Sequence, residues 1–264
     1  MAQEIHVFDN GVQVYVSQLM PAQIQRYQNV RNVHEADEED LFVEVLRSSP
    51  RIECIVDVGS AIGYYPLLAK RILPDVTIHA YEPLDIFRQY FTDNIRLNGF
   101  APQQFHVHSE CVSSTRGRTY FVEATYGSKV LRGKALGTSV FFAKLLLKRL
   151  LTRRGNYPLP KISSLNTITL DDVATNVGCP IDYLQMDVQG HEFEILQGGA
   201  ASLRAGKIKS FMIGTHSSKL HRQCAQYLVE YGYEIEVDEE AAAHQPDGII
   251  LASKGVQRHG ARPG

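Results

Sequence analysis

The chain has 264 residues, 44% hydrophobic and 21% charged, enough apolar material for one folded domain with a real core. A net charge of −2 gives no overall attraction to nucleic acid, and no apolar run reaches membrane-spanning length. The first residues show no basic stretch followed by an apolar one, so a cytoplasmic protein is expected.

Residues 5–16 alternate in polarity around Asn10-Gly11, the signature of a hairpin. Residues 21–48 are expected to be largely helical, with the acidic run Glu35 to Asp40 on a solvated face or in a helix's first turn. This N-terminal extension, 1–48, precedes a regular alternation. Strands are expected near 52–58, 76–82 and 103–108, and helices near 63–73 and 84–98.

The first strand runs through Asp57 into Gly59-Ser-Ala-Ile-Gly63 and opens a helix; the second ends at Glu82. Glycine allows a tight turn and close approach of backbone to a ligand, and the helix start offers free N–H groups. A carboxylate at the next strand end can accept hydrogen bonds from both hydroxyls of a ribose. The spacing Gly59-x-x-x-Gly63 lacks the middle glycine that admits a pyrophosphate. It suits S-adenosylmethionine, which presents a small carboxylate and an amino group. The adenine is expected beside Ser109 and Glu110 at the end of the third strand. Tyr64 either covers the methionine portion or simply packs at the helix start. His106 and His108 alternate along one strand and are expected to face the surface.

Residues 118–123 form a further, peripheral strand. An insertion of about 125–168 then interrupts the alternation. Residues 127–154 hold eight basic side chains and no acid, leaving 19 basic against 29 acidic residues elsewhere. The insertion includes a helical stretch, 138–151, and reads as a lid over an anionic substrate, as contact with a membrane surface through 129–154, or as a helix packed on the body. The alternation resumes with strands at 181–187 and 207–215 and helices near 191–204 and 217–231. It closes on a hairpin of 233–237 with 248–252, so the sheet is mainly parallel with one antiparallel strand. The four cysteines (Cys54, Cys111, Cys179, Cys224) are scattered, which fits buried free thiols.

The second informative block is Leu170-Asp171-Asp172, followed by Met186-Asp187-Val-Gln-Gly190-His191-Glu192 and Ile195-Leu196. Asp187 ends a strand on the ligand-binding edge of the sheet, beside the site built by 57–63. Together with Asp57-Val-Gly59-Ser-Ala-Ile-Gly63-Tyr-Tyr, Tyr81-Glu82-Pro83 and Asn94-Ile-Arg-Leu-Asn98-Gly99, this resembles the FkbM family of S-adenosylmethionine-dependent methyltransferases. The resemblance runs from about residue 35 to 215. It implies an α/β, class I (Rossmann-like) fold: a mainly parallel seven-stranded sheet with helices on both faces. It also implies methyl transfer, usually to a hydroxyl oxygen of a sugar, polyketide or other small metabolite. Two positions depart from the family pattern: Gln185 stands where Lys is common, and Gln189 where Glu is common.

An alcohol is a poor nucleophile, so its proton must leave during attack; a carboxylate, an imidazole or a metal ion can assist. Asp187 is the first candidate, as base or metal ligand. His216, following the strand 211–215, is the second. Asp187, Glu192 and His216 together are a candidate divalent-cation set. The expected partner is a small-molecule hydroxyl acceptor, with a homo-oligomer left open. The alternatives are an NAD(P)-dependent Rossmann oxidoreductase and a non-catalytic scaffold or membrane-surface module.

Overall fold

The computed structural model describes residues 3–49, 51–123, 129–130, 161–241 and 247–255. The helical stretch expected at 138–151, and the basic segment 129–154 apart from Lys129 and Val130, lie outside the described residues. The chain opens with the hairpin β1 (Ile5–Val7) and β2 (Gln13–Tyr15), paired antiparallel, followed by α1 (Pro21–Asn29) and α2 (Ala36–Ser48). Phe8, Val12, Val14, Tyr27, Phe42, Val45 and Leu46 bury this extension in the same core as the sheet's first face.

The alternation follows as β3 (Cys54–Val58), α3 (Tyr64–Ile72), β4 (Thr77–Tyr81), α4 (Asp85–Leu97) and β5 (Phe105–His108). Next come the short strand β6 (Cys111–Ser113), β7 (Gly117–Glu123), β8 (Lys129–Val130) and β9 (Lys161–Thr169). The remainder is α5 (Leu170–Val177), β10 (Tyr183–Met186), α6 (Glu192–Gln197), α7 (Ala200–Arg204), β11 (Ser210–Thr215), α8 (Ser218–Glu230), β12 (Glu234–Glu239) and β13 (Gly248–Ser253). The helix expected across 191–204 is two short ones, broken at Gly198-Gly199, where a β-carbon on Gly199 would lie 2.6 Å from Leu170.

Seven strands form the main sheet in the order β12-β13-β11-β10-β3-β4-β5. All neighbours from β11 to β5 run parallel, and β13 lies antiparallel between β11 and β12. This is the class I methyltransferase arrangement. Side chains alternate cleanly between two cores. Ile55, Ile78, Ala80, Phe105 and Met212 face α2, α3 and α4. Val56, Val58, Tyr81, Leu184, Met186 and Phe211 face α5 to α8. Burial on both faces explains why the parallel strands read as nearly continuous apolar runs.

The sequence pattern did not anticipate a second sheet. Strands β6, β9, β7 and β8 pair in that order. The segment read as the tail of the insertion, up to 168, is largely β9, and that end of the insertion retreats to residue 160. The acidic run opens α2, with Asp37, Glu38 and Glu39 in its first turn, the second of the two readings. Glu38 and Glu39 are buried there rather than solvated. Among the described residues, no helix is long and apolar enough to cross a membrane.

Candidate active site

The sheet's strand order reverses between β3 and β10, and the C-terminal ends of those strands open a crevice there. The loop after β3 shapes its floor. Gly59, at φ +92°, and Ser60 both donate to the Tyr81 carbonyl, at 2.9 and 3.3 Å. Gly63 follows at φ +83° as the residue capping α3. A β-carbon there would meet the Phe91 ring at 1.9 Å, so α4 packs on the loop only because the position is glycine. Two non-glycine residues also adopt left-handed backbone, Ala61 and Gln189, and both line the crevice. Such residues persist where surrounding structure fixes them, and they concentrate at functional sites.

The crevice is a cavity of about 440 Å³. Asp57, Gly59, Ser60, Gly63's neighbour Tyr64, Glu82 and Glu110 line it, with Leu84, Phe87, Cys111, Val112 and Phe121 as apolar wall. Asp187, Gln185, Gln189 and the extension's Arg26, His34 and Glu35 complete the lining. Motif reasoning missed the extension residues and the apolar wall, because neither carries a local signature. Ser109 does not line this cavity. It borders a neighbouring polar depression with Arg88, Arg118 and Asn166.

Glu82 is buried at the end of β4. Its Oε1 accepts from Leu84 N at 2.8 Å and its Oε2 from Ala61 N at 3.0 Å. Burial pushes this carboxyl up to about 7, against the pull of those two N–H groups and of Arg88. Each oxygen keeps a lone pair for a further donor. Asp57 is also pushed up, by burial first and then by the charges of Asp187 and Glu82. The Tyr64 hydroxyl is committed to the extension: it donates to Glu39 Oε2 and accepts from Asn10 at 2.7 Å. Its ring packs against Phe8 and His34.

Beside the Gly59 turn Asp187 N donates to Val58 O at 3.2 Å, and Gln189 Nε2 donates to Asp187 Oδ1 at 3.3 Å. His216 stands beside it, its Nε2 3.3 Å from Asp187 Oδ1 and 3.4 Å from Asp247 Oδ1. Its Nδ1 contacts Glu192 Oε1 at 3.1 Å. Glu192 is fully buried, and the same Oε1 accepts from Val188 N and Gly190 N, at 3.3 and 2.9 Å. Glu192 therefore both caps the turn and fixes the imidazole. Burial opposes a charge on His216. The hydrogen bond to Glu192 and the charges of Asp187, Glu192 and Asp247 outweigh it and hold the ring at about 9. Burial raises Asp187 to about 7, against the pull of His216 and with help from Glu35, Asp247 and Glu192.

Of the cation set Asp187, Glu192 and His216, the structure changes one member. Glu192 occupies the far nitrogen of His216, and Asp247 takes its place beside Asp187. Asp247 carried no sequence signal beyond being an acid just ahead of the last strand. Gln185 donates to the buried Glu38, whose carboxyl is raised by burial, by the charge of Glu35 and a hydrogen bond with it, and by Asp187. His191 of the same motif is buried with its Nε2 2.9 Å from Ser113 Oγ.

Comparison with known proteins assigns the chain. The family model of the methyltransferase FkbM domain matches residues 57–235. A protein of Jannaschia sp. (strain CCS1) named as a methyltransferase is 31% identical over 105 residues, which is 37% of this chain and 37% of that relative's length. The crystal structure of an FkbM methyltransferase from Methylobacillus flagellatus KT superposes with a TM-score of 0.51 at 14% identity, over 75% of this chain and 43% of that one. A Clostridium thermocellum protein named as an rRNA methylase gives a TM-score of 0.50 at 6% identity, over 82% and 94% of the two chains. At these identities the solved structures bear on the fold alone, and the fold is that of class I methyltransferases. The family match covers more than half of the chain, and the protein belongs to the FkbM methyltransferase family.

Proposed function

We propose that the protein transfers a methyl group from S-adenosylmethionine to a hydroxyl oxygen of a small metabolite. The family assignment removes the NAD(P) alternative. The carrying observation is that one cavity is lined by the Gly59 turn, Glu82 and Asp187 together.

The residues present fit the cofactor. Glu82 has lone pairs for two ribose hydroxyls. Ser60 Oγ, buried on the cavity wall, makes no hydrogen bond of its own and can donate to a carboxylate. Asp57 offers its carboxylate to an ammonium group. Glu110, with Cys111, Val112 and Phe121, bounds the space for an adenine; Ser109, expected to share that role, lies outside the cavity. Tyr64 closes the cavity through its ring edge, its hydroxyl being held by Glu39. Bound, S-adenosylmethionine supplies a methyl group already activated as a sulfonium.

The chain's task is then positional. Arg26, His34 and Glu35 of the extension wall the acceptor end, so the acceptor lies between the extension and the sheet edge. Its oxygen must stand about 3–3.5 Å behind the methyl carbon. An acceptor hydroxyl would have to give up its proton to a side chain of the wall on methylation. Asp187 is the ionisable group at that point of the wall, with His216 and Gln189 fixing its carboxylate. A cation held by Asp187 would serve the same end.

The test has two parts. Calorimetric titration with S-adenosylhomocysteine should show one site per chain. Labelled methyl transfer should then be screened over sugars, phenols, polyketides and acyl metabolites, with one class methylated at oxygen. Asp187→Asn should lose at least ~100-fold in turnover while keeping affinity for S-adenosylhomocysteine. Absence of S-adenosylhomocysteine binding sinks the proposal.

A further inference from the structure

The geometry points to a divalent-cation site formed by Asp187, His216 and Asp247 at the acceptor end of the cavity. The three residues come from three places: the end of β10, the end of β11 and the turn into β13. One ligand atom from each lies within 4.8 Å of the other two. His216 Nε2 is 3.3 Å from Asp187 Oδ1 and 3.4 Å from Asp247 Oδ1. First-row cations bind such atoms at about 2.1 Å, which puts neighbouring ligand atoms about 3.0–3.4 Å apart in octahedral or tetrahedral sites. The spacing already present therefore needs little adjustment.

Two further observations favour a cation over a plain ion pair. Nε2 is buried and makes no hydrogen bond, although two carboxylate oxygens flank it. A proton on Nε2 is aimed at neither oxygen, whereas an ion centred among the three atoms satisfies all of them. The opposite nitrogen is fixed by Glu192, which is fully buried and anchored by the Val188 and Gly190 N–H groups. With Nδ1–H donated to Glu192, the Nε2 lone pair faces the two aspartates. A carboxylate behind a ligating histidine is the usual second layer of a metal site. The charge count agrees. Asp187, Asp247, Glu192 and the nearby Glu35 bring four carboxylates, and His216 and Arg26 are the cations facing them. Cation binding displaces the imidazole proton and leaves two positive charges in its place.

Two carboxylate oxygens and one imidazole favour Mn²⁺, Fe²⁺, Co²⁺ or Zn²⁺ over Mg²⁺ or Ca²⁺, which prefer all-oxygen shells. Asp187 lines the cavity, so an ion here sits at the wall where the acceptor oxygen is placed. The inference rests on that placement of the acceptor and deepens it.

The experiment is titration of the full chain with Mn²⁺, followed by electron paramagnetic resonance, and with Zn²⁺ by calorimetry. One ion per chain is expected. Asp247→Asn and His216→Gln should each weaken binding by about tenfold or more. S-adenosylhomocysteine affinity, measured on the same samples, should stay near the wild-type value and report that the variants fold. Absence of binding of either ion to the wild type overturns the site, as does undiminished binding in both variants. If neither ion binds but Asp187→Asn still abolishes methyl transfer, the cation site falls and the methyltransferase reading stands. If S-adenosylhomocysteine fails to bind, the methyltransferase reading falls, and the cation site loses the acceptor placement on which it rests.

Discussion

The carbonyl oxygen of Asp187 lies 2.1 Å from where a β-carbon on residue 59 would stand, so Gly59 and Asp187 meet backbone to backbone across the switch point of the sheet. The loop after β3 and the end of β10 are thereby in direct backbone contact. Gly59→Ala forces a side chain into φ +92° and into that carbonyl. Left-handed backbone costs about 1–2 kcal/mol and overpacking about 1–3 kcal/mol, so destabilisation of about 2–5 kcal/mol is expected in urea unfolding. Gly99→Ala is the control. Its φ is +77°, yet nothing lies within 4 Å of the added carbon, so it should pay only the backbone part. Equal unfolding midpoints for the two variants would remove the contact from the argument.

The ribose role proposed for Glu82 predicts that cofactor affinity depends on pH. Its carboxyl is raised to about 7 by burial, so below that pH it carries a proton and offers fewer acceptor sites. Binding that uses both oxygens should be constant above about pH 7.5. The Kd for S-adenosylhomocysteine should rise by up to tenfold per unit as the pH falls below about 6.5. Glu82→Gln should flatten that profile and weaken binding roughly 10–100-fold, the worth of hydrogen bonds to a charged group. A wild-type profile as flat as the variant's would exclude the ribose role.

The elements legible in the sequence were those whose signal is local. The two motif blocks placed Asp57, Gly59, Glu82 and Asp187 because each ends a strand whose apolar pattern is strong, and the antiparallel hairpin followed from the closing pair of strands. The rest depends on contacts distant in sequence. Strand β9 has alternating polar residues and lies beyond the basic segment, so it resembled loop until paired with β7. Glu38 and Glu39 looked solvated because charge is usually exposed, yet Gln185 and Tyr64, more than a hundred residues apart, reach in to bond them. Asp247 and Arg26 enter the site only through the tertiary fold.

Gln185, where the family pattern commonly has lysine, has a partner that the sequence could not reveal. Its Nε2 donates to Glu38, and both side chains are buried. Gln185→Leu keeps the volume but removes that donor, leaving Glu38 only its hydrogen bond with Glu35. A cost of about 1–3 kcal/mol in unfolding free energy is expected, the penalty for a buried polar group that loses a partner. Pairing the change with Glu38→Leu should recover part of the loss, because both polar groups are then gone. Additive losses in this double-mutant cycle would show that the two side chains do not depend on each other.

A stack of imidazoles at the edge of the sheet predicts acid sensitivity separate from the active site. His79 on β4 is buried and stacks on His106 and His108 of β5, with centroids 4.6 and 5.4 Å apart. Its Nδ1 lies 3.1 Å from His108 Nε2. Burial, and then the charges of His106 and His108, hold His79 down at about 4. A histidine depressed in the folded state binds its proton more readily when unfolded. Its contribution is therefore fully present above about pH 6.5 and is lost as the pH falls through about 4. The shift corresponds to about 3 kcal/mol; solvent reaches the exposed His106, so roughly 2 kcal/mol is the figure to expect. Urea unfolding of the wild type between pH 7 and pH 4.5 should lose stability more steeply than that of His79→Phe, which keeps the stack but cannot titrate. Parallel curves for the two proteins would mean that His79 gains its proton equally well in the folded and unfolded chain, and that the stack is packing alone.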